Sequence, residues 1–317
     1  MSQPPSSGGA TDPGTSAEVP GAQPDLADLP LDAHLHSNLS PDADVPIDAY
    51  AALARARGLA ELAITDHLDF SPDAPAFAFT DYDRRLRVVR EAGERWAGRP
   101  AIRFGVEITY ERRHEAMIRQ HLAGHAYDYV IGSVHLARGH PLANPATAQA
   151  WCRTRTLREA TAWYWDEVEA SIRSGLFDTI GHLDVVKRWT TPYLGPFDAQ
   201  EHADVYERLL LAIVEAGATL EVNSSGLRVA QGGPFPHPGE LYPPAAVVAR
   251  FRELGGGRVV AGSDAHRVPS FAMGLRGAYD AIGAAGFRAL TFRRGGDAVA
   301  VELAERAAAV AFEGSAA

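Results

Sequence analysis

The sequence predicts an α/β protein in which parallel strands and helices alternate around a closed or distorted barrel. From Leu29 onward, short apolar runs typical of buried strands alternate with longer segments of helical character, in about seven units. Strand–helix–strand units of this length imply right-handed crossovers and a parallel sheet. No GxGxxG motif opens the first helix, which argues against a dinucleotide-binding sheet. No repeat or linker divides the chain, so residues 29–317 are predicted to form a single domain.

Glycine and proline mark element boundaries in the first half of the chain. Gly58 is placed to cap the first helix, and Gly98 with Pro100 ends the second. The apolar runs between these helices are predicted as strands. The predicted strands are residues 29–33, 59–65, 102–108 and 127–134, and the predicted helices are 47–57, 81–97 and a segment around 113–121.

The second half of the chain continues the same alternation. A long helical stretch carries Trp151, Trp163 and Trp165, whose rings are predicted to pack the helix and not to bind a ligand. Pro243 and Pro244 open a later helix, and a short apolar run at 288–292 precedes the last one. The predicted helices are 146–174, 198–216, 243–254, 271–284 and 297–312, and the predicted strands are 179–183, 218–223 and 259–263.

Composition argues against several classes of protein. The net charge is -10 and the isoelectric point about 5.6, so nothing favours nucleic acid or an anionic membrane as a partner. No stretch approaches the roughly 18 apolar residues that span a bilayer. Residues 1–28 are rich in Pro, Gly, Ser and Asp and are predicted to be a disordered tail, not a signal peptide. The single cysteine, Cys152, excludes an internal disulfide and fits a cytoplasmic location.

Histidines and carboxylates follow the predicted strands in a repeated pattern. In His34-Leu35-His36, residues two apart face the same side of a strand, so both imidazoles can reach one metal ion. Each motif alone is also compatible with surface histidines, and Glu107 alone with a salt bridge. Six of the 12 histidines, however, fall at predicted strand ends, which together indicates one metal pocket. The candidate ligands are His34, His36, His67, Glu107, His135, His182, Asp264 and His266.

Two of these motifs leave alternatives open. Asp42, in a Ser-Pro-Asp loop, is predicted to fold back as a ninth ligand, with Asp44 as its competitor. In Thr65-Asp66-His67, either the carboxylate or the imidazole could bind metal while the other supports it; His67 is the predicted ligand, and Asp66 either orients it or transfers a proton. Nine donors exceed the about four to six that one zinc, manganese or iron ion takes, so two or three divalent metal ions are predicted.

A polar loop after the sixth predicted strand is the candidate substrate site. It contains Asn223, Ser225 and Arg228, and the Arg228 guanidinium group is predicted to hold a phosphate through two hydrogen bonds. Arg267 is predicted to contribute from a neighbouring loop. A surface ion pair is the commoner fate of either arginine. Weaker candidates of the same kind are Lys187 and Arg188.

Taken in order, these motifs resemble those of the PHP (polymerase and histidinol phosphatase) superfamily, over roughly residues 29–267. IGSVH, GHLDVVKRW, LEVNSSGLR and SDAHR are most similar to its histidinol-phosphatase branch. The resemblance implies a distorted (β/α)7 TIM-like barrel with a three-metal site at the C-terminal ends of the strands. It implies a metal-dependent phosphatase that hydrolyses L-histidinol phosphate in histidine biosynthesis. In this reading the nine donors bind metal, while Arg228 and Arg267 hold the phosphate.

Two other functions are compatible with the same residues. A PHP enzyme could act on another small phosphate ester or on nucleic-acid ends, although the acidic chain has no basic, aromatic-interleaved stretch for nucleic acid. A non-catalytic metal-binding protein on this scaffold would be marked by loss of a ligand. Every expected ligand position carries a competent donor, so the sequence favours an enzyme with a small phosphorylated substrate.

Overall fold

Seven parallel strands frame the molecule in a computed structural model, which describes residues 25–136, 140–228 and 235–303. The seven strands and one further strand of two residues, β3, are β1 (Leu31–Leu35), β2 (Glu61–Ile64), β3 (His67–Leu68), β4 (Ala101–Thr109), β5 (Tyr129–Ser133), β6 (Thr179–Ile180), β7 (Thr219–Asn223) and β8 (Val259–Gly262). They pair in the order β1-β2-β4-β5-β6-β7-β8, with β3 on β4. A parallel bridge between Leu35 and Ala265 joins the two edges. The predicted, nearly closed barrel is confirmed.

Helices surround this barrel and connect its strands. They are α1 (Ile47–Arg57), α2 (Tyr82–Arg95), α3 (Glu115–Gly124), α4 (Pro145–Arg153), α5 (Leu157–Ser174), α6 (Val186–Leu194), α7 (Ala203–Ala216), α8 (Ala245–Glu253) and α9 (Leu275–Ala284). α1 has the predicted bounds, and Gly58 closes it at a φ of 82°, which glycine adopts without strain. Among the described residues, no helix has the length and apolarity needed to cross a membrane.

The prediction of a final helix at residues 297–312 is wrong over its first turns. Residues Asp297–Glu302 form strand β10, which pairs antiparallel with β9 (Ala289–Arg294). Gly295 and Gly296, both at positive φ, supply the two-residue turn that joins the strands. The alternating Asp-Ala-Val-Ala-Val-Glu sequence suits a strand better than a helix. The remainder of the predicted helix, from residue 304, lies outside the described residues.

The predicted helix at 146–174 is two helices, α4 and α5, which are separated at residues 154–156. Thr156 and Glu159 form a capping box at the start of α5: the Thr156 hydroxyl accepts from Glu159 N, and the Glu159 carboxylate accepts from Thr156 N at 2.8 Å. This local signal sets the break within a continuous helical pattern. The sequence analysis also missed α6, and it began α7 five residues too early, at 198 instead of 203.

We expect Thr156→Ala to lower the free energy of unfolding by about 1 kcal/mol, because it leaves a backbone N–H at the start of α5 without its acceptor. Chemical denaturation monitored by circular dichroism measures this change. The matched control is Thr154→Ala, two residues earlier, where the hydroxyl caps no helix and a change within about 0.5 kcal/mol is expected. Equal losses for the two variants would show that the capping box does not stabilise α5.

Residues 25–28, which the sequence analysis assigned to the disordered tail, belong to the folded body. Leu26 is buried, and its backbone N–H donates to the Arg57 carbonyl at 2.7 Å. Asp28 forms an ion pair with Arg276 at 2.7 Å. The tail prediction was too long here because its polar composition hid one buried leucine. Residues 1–24 lie outside the described residues.

A small apolar cluster sits apart from the main core. Leu142, Ala148, Cys152 and Phe235 form it, between α4 and the segment after β7. The three tryptophans pack as predicted: Trp165 is buried in the main core, and Trp151 and Trp163 pack against the small cluster.

Candidate metal centre

The carboxyl ends of six strands deliver the predicted ligands to one pocket. His34 and His36, two residues apart along and just after β1, point to the same side and are both fully buried. His67 opens β3 and pairs in register with Glu107 of β4. The remaining strand-end ligands follow directly after β5, β6 and β8. They are His135, His182, Asp264 and His266.

Glu107 lies at the centre of this cluster. Its side chain is about 1% exposed, and its two carboxylate oxygens face five imidazole rings. A carboxylate buried among nitrogen donors can join more than one metal ion, as two-metal hydrolytic sites require. The distances from its oxygens are 2.8 Å to His67 Nδ1, 2.9 Å to His182 Nε2, 3.4 Å to His34 Nε2 and to His36 Nε2, and 3.5 Å to His135 Nε2.

Two aspartates complete the set on the other side of His36. Asp264 Oδ1 lies 3.3 Å from His36 Nε2 and 3.4 Å from His266 Nδ1. Asp42 Oδ2 lies 3.4 Å from the Nε2 atoms of both His67 and His266. Asp44, its predicted competitor, instead pairs with Arg267. The structure therefore brings all nine predicted donors, Asp42 included, into one connected cluster.

The donor set fits divalent metal ions. His34 Nε2 and His36 Nε2 face each other at 3.0 Å, and His135 Nε2 and His182 Nε2 do so at 3.2 Å. Imidazole nitrogens and carboxylate oxygens that converge in this way are the ligands that zinc, manganese and iron take in proteins. Three donor groups have ligand atoms within 4.8 Å of one another: His36, His67 and His266; His34, His36 and Glu107; and His67, Glu107 and His135.

The electrostatics of the cluster attract positive charge. Burial raises the pKa of Glu107, but the neighbouring imidazoles outweigh it and hold that pKa well below its usual value, so the carboxylate stays ionised. Burial, with His266 and His67 nearby, holds the pKa of His36 well below its usual value, so this ring is neutral. Burial lowers the pKa of His34, yet the surrounding carboxylates raise it well above its usual value. A divalent cation satisfies the same carboxylates in place of protons.

Glu221, to which the sequence analysis gave no role, orients the nearest ligands. Its Oε1 lies 2.6 Å from His34 Nδ1, and its Oε2 accepts from His182 N at 2.7 Å. This contact directs the His34 Nε2 atom toward the cluster. Asp32, where β1 meets β8, accepts from the backbone N–H groups of Ser263 at 2.8 Å and of His34 at 3.3 Å, and burial raises its pKa to about 6. A carboxylate inside an otherwise apolar strand was the available signal for both residues.

We expect Glu221→Gln to weaken metal affinity by about 10- to 100-fold, the range typical of an outer partner of a metal-binding histidine. Titration of the metal-free protein against a competing chelator measures this affinity. The control is Asp178→Asn, which changes a carboxylate that accepts from Val130 N and pairs with Arg293, away from the nine donors. Unchanged affinity in the Glu221 variant would reject its orienting role.

Asp66 lies beside the cluster and organises the turn before Asp42. Its carboxylate accepts from Ser37 N at 2.6 Å, from Ser37 Oγ at 2.8 Å and from Ser40 Oγ at 3.1 Å. Ser40 Oγ in turn accepts from His67 N at 2.8 Å, so Asp66 acts on His67 through this serine. Arg85, a buried residue that the sequence analysis missed, donates to the carbonyls of Asp66 and His67. These contacts agree with the orienting alternative for Asp66, and proton transfer by Asp66 stays a prediction.

The predicted phosphate-binding residues have different surroundings. Arg228 is 5% exposed and donates from Nη2 to the Asp264 carbonyl at 3.0 Å, beside the cluster. Asn223 and Ser225 shape its loop: Asn223 Oδ1 accepts from Ser225 N at 2.9 Å, and the Ser225 carbonyl accepts from Arg228 Nε at 3.2 Å. Arg267 is directed elsewhere: its side chain is 61% exposed and lies 2.6 Å from Asp44.

A parallel barrel with imidazoles and carboxylates gathered at the carboxyl ends of its strands defines a metal-binding α/β-barrel protein. The family model described as the PHP domain matches residues 32–225. The chain belongs to the PHP domain family, and the resemblance seen in its motifs is confirmed.

Relatives within this family share most of the chain. A protein of Deinococcus radiodurans named probable histidinol-phosphatase is 31% identical over 265 residues, which cover 83% of this chain and 96% of that protein. The histidinol-phosphatase of Lactococcus lactis subsp. lactis is 24% identical over 266 residues, which cover 82% and 93%. The crystal structure of histidinol phosphate phosphatase from Lactococcus lactis, complexed with zinc, L-histidinol and phosphate, matches this fold with a TM-score of 0.71 at 21% identity, and the match covers 85% of this chain and 98% of that one.

Proposed function

We propose that the protein is a metal-dependent phosphatase that hydrolyses L-histidinol phosphate to histidinol and phosphate. The observation that carries this proposal is the nine-donor cluster with the buried guanidinium group of Arg228 at its side. A metal cluster next to a fixed arginine is suited to a doubly charged phosphate ester. The histidinol-phosphatase relatives support histidinol as the alcohol.

Two or three divalent ions, zinc, manganese or iron, are the proposed cofactors. The three overlapping donor groups around Glu107 and His67 support more than one ion. When bound, such ions activate a water molecule and neutralise charge on the phosphate oxygens. The residues of this chain hold the donors in place: Glu107 supplies the central negative charge, and Glu221 fixes the ring of His34.

Arg228 and Arg188 are the proposed phosphate-binding residues. Among the described residues Arg188 forms no ion pair, and its Nε donates to the Phe235 carbonyl at 3.3 Å. Burial, together with the charges of Arg188 and Arg228, lowers the pKa of His237 to about 3, which indicates that both guanidinium groups lie near this ring. Two neighbouring guanidinium groups are suited to a bound phosphate, whose equatorial oxygens they can bind during hydrolysis. Phosphate binding by Arg267 stays a prediction, because a substrate would first have to displace its side chain from Asp44.

Other assignments from the sequence also stay predictions. They are direct contacts of Asn223 and Ser225 with substrate, a role in histidine biosynthesis, a location in the cytoplasm, and the absence of nucleic acid as a partner. Asn223 and Ser225 have a supported indirect role, since both hold the loop of Arg228.

A phosphate-release screen of the purified, metal-free protein reloaded with zinc, manganese, iron or magnesium tests the proposal. We expect rapid turnover of L-histidinol phosphate, much slower turnover of other small phosphomonoesters, and none of oligonucleotides with terminal phosphates. A chelator should abolish the activity, and added metal should restore it. Faster turnover of another ester or of nucleic-acid ends would replace the proposed substrate. Lack of release from every ester with every metal would overturn the enzymatic function.

A further inference from the structure

Lys187 is the only lysine in the chain, although lysine and arginine together number 30. It lies in the first turn of α6, and its side chain has no exposure. Lysine is rarely buried completely unless it is paired. Its Nζ donates to the Leu241 carbonyl at 2.8 Å, lies 2.9 Å from Glu240 Oε1 and 3.1 Å from Asp184 Oδ2, and sits 4.9 Å from the centre of the Tyr242 ring. All three ammonium protons therefore have acceptors, and none is left for a phosphate.

Three of these four partners, Glu240, Leu241 and Tyr242, belong to residues 235–242, which we call the strap. The strap returns over the loop that carries Arg228. Asn223 and Tyr242 exchange two backbone hydrogen bonds of 2.8 and 3.0 Å, and Gly239 N donates to the Gly226 carbonyl at 2.9 Å. The contact is so close that a Cβ atom on Gly226 would lie 2.0 Å from the Glu240 carbonyl oxygen. The strap and the loop are therefore tightly packed against each other.

We propose that Lys187 is a positioning residue for phosphate binding. Its ammonium group fixes the end of the strap at residues 240–242, and the strap fixes the loop that places Arg228 against Asp264. Arg188, the next residue, holds the other end of the strap through the Phe235 carbonyl. The inference rests on the proposed phosphatase function, since it assigns Lys187 to the phosphate half of that site. The sequence analysis had considered Lys187 only as a direct phosphate ligand.

The arrangement requires lysine and not arginine. Three acceptors surround one nitrogen atom at 2.8 to 3.1 Å, which suits the tetrahedral ammonium group. A guanidinium group is planar, longer, and directs its five donors in a fixed fork, so it cannot reproduce these contacts in the same space. This difference predicts that arginine will not substitute for Lys187.

The test compares Lys187→Met with the unaltered enzyme, each loaded with the same metal. We expect KM for the phosphate ester and the inhibition constant of inorganic phosphate to rise together by about 10-fold, the effect of loosening one charge-assisted hydrogen bond. We expect kcat to fall by less than about threefold and the metal content to stay the same, because Lys187 contacts none of the nine donors. Lys187→Arg should show the same rise. Equal constants in Lys187→Met and the unaltered enzyme, or a loss of metal, would overturn the inference.

Glu240→Gln is a milder variant that tests the same contact if Lys187→Met does not fold. It weakens one of the three partners and should raise both constants by about two- to fivefold, so unchanged constants would count against the inference. The control for general destabilisation is Arg103→Met, which removes a partner of Glu61 away from the nine donors and should leave both constants unchanged. If the unaltered enzyme neither releases nor binds phosphate, the proposed function fails, whereas a working enzyme that tolerates Lys187→Met refutes only the positioning role.

Discussion

Glu107→Gln is expected to remove most of the bound metal and to lower kcat/KM by about 10³-fold or more. The substitution keeps the size of the side chain but removes the charge that faces His34, His36, His67 and two further imidazoles. Metal ions contribute several kcal/mol to stabilisation of the transition state, and each 1.4 kcal/mol, roughly, is a factor of ten in rate. Metal content is measured by atomic absorption after gel filtration, and kcat/KM by phosphate release.

Glu61→Gln is the matched control for that experiment. Glu61 is also a buried strand carboxylate, but it stands at the start of β2, where Arg103 and Arg294 bind it. We expect this variant to be less stable yet to keep its metal content and its kcat/KM within about twofold. A Glu107 variant that retains full metal content and activity would contradict the central role of this carboxylate.

Arg228→Ala is expected to lower kcat/KM for L-histidinol phosphate by about 10²- to 10³-fold, the usual loss when one fixed donor to a developing oxyanion is removed. Metal content should change little, because Arg228 donates hydrogen bonds to the carbonyls of Asp264 and Ser225 and approaches the Asp264 carboxylate only to 4.0 Å. Initial rates across a range of substrate concentrations, with metal analysis of the same sample, separate a loss of kcat/KM from a loss of metal.

Arg267→Ala provides the comparison. Since the Arg267 side chain is 61% exposed and paired with Asp44, we expect a loss of less than about threefold, typical of an exposed ion pair. A loss as large as that of Arg228→Ala would mean that substrate recruits Arg267, as the sequence analysis predicted. Full activity of Arg228→Ala would instead remove the arginine from the phosphate site.

The sequence was sufficient for the barrel and for the positions of the donors along it. Apolar runs that end in His34, Glu107, His135 or His182 carry both pieces of information, because parallel strands share one carboxyl edge. Local patterns gave wrong secondary structure where one segment fits two structures. The segment after Gly296 pairs as a strand, whereas a helix was predicted, and Thr156 divides a helix whose periodicity continues through it.

Side-chain partners were harder to predict than side-chain positions. Asp42 and Asp44 stand in the same loop, and only the path of that loop sends the first to His266 and the second to Arg267. Glu221 has the sequence pattern of an ordinary strand residue, and its 2.6 Å contact with His34 spans 187 positions of sequence. No local pattern encodes such a pairing, because it depends on the register of strands that are distant along the chain.

The sequence by itself therefore determined the class of fold, the family and the set of candidate metal-binding residues, since each follows from the order of motifs on strands of regular period. Only the tertiary structure decided which charged groups surround that set. It joined Arg228 to the cluster, directed Arg267 to Asp44, and enclosed Lys187 beneath the strap. The physical reason is that buried charges are stabilised by partners in space, and the folded chain brings those partners from distant parts of the sequence.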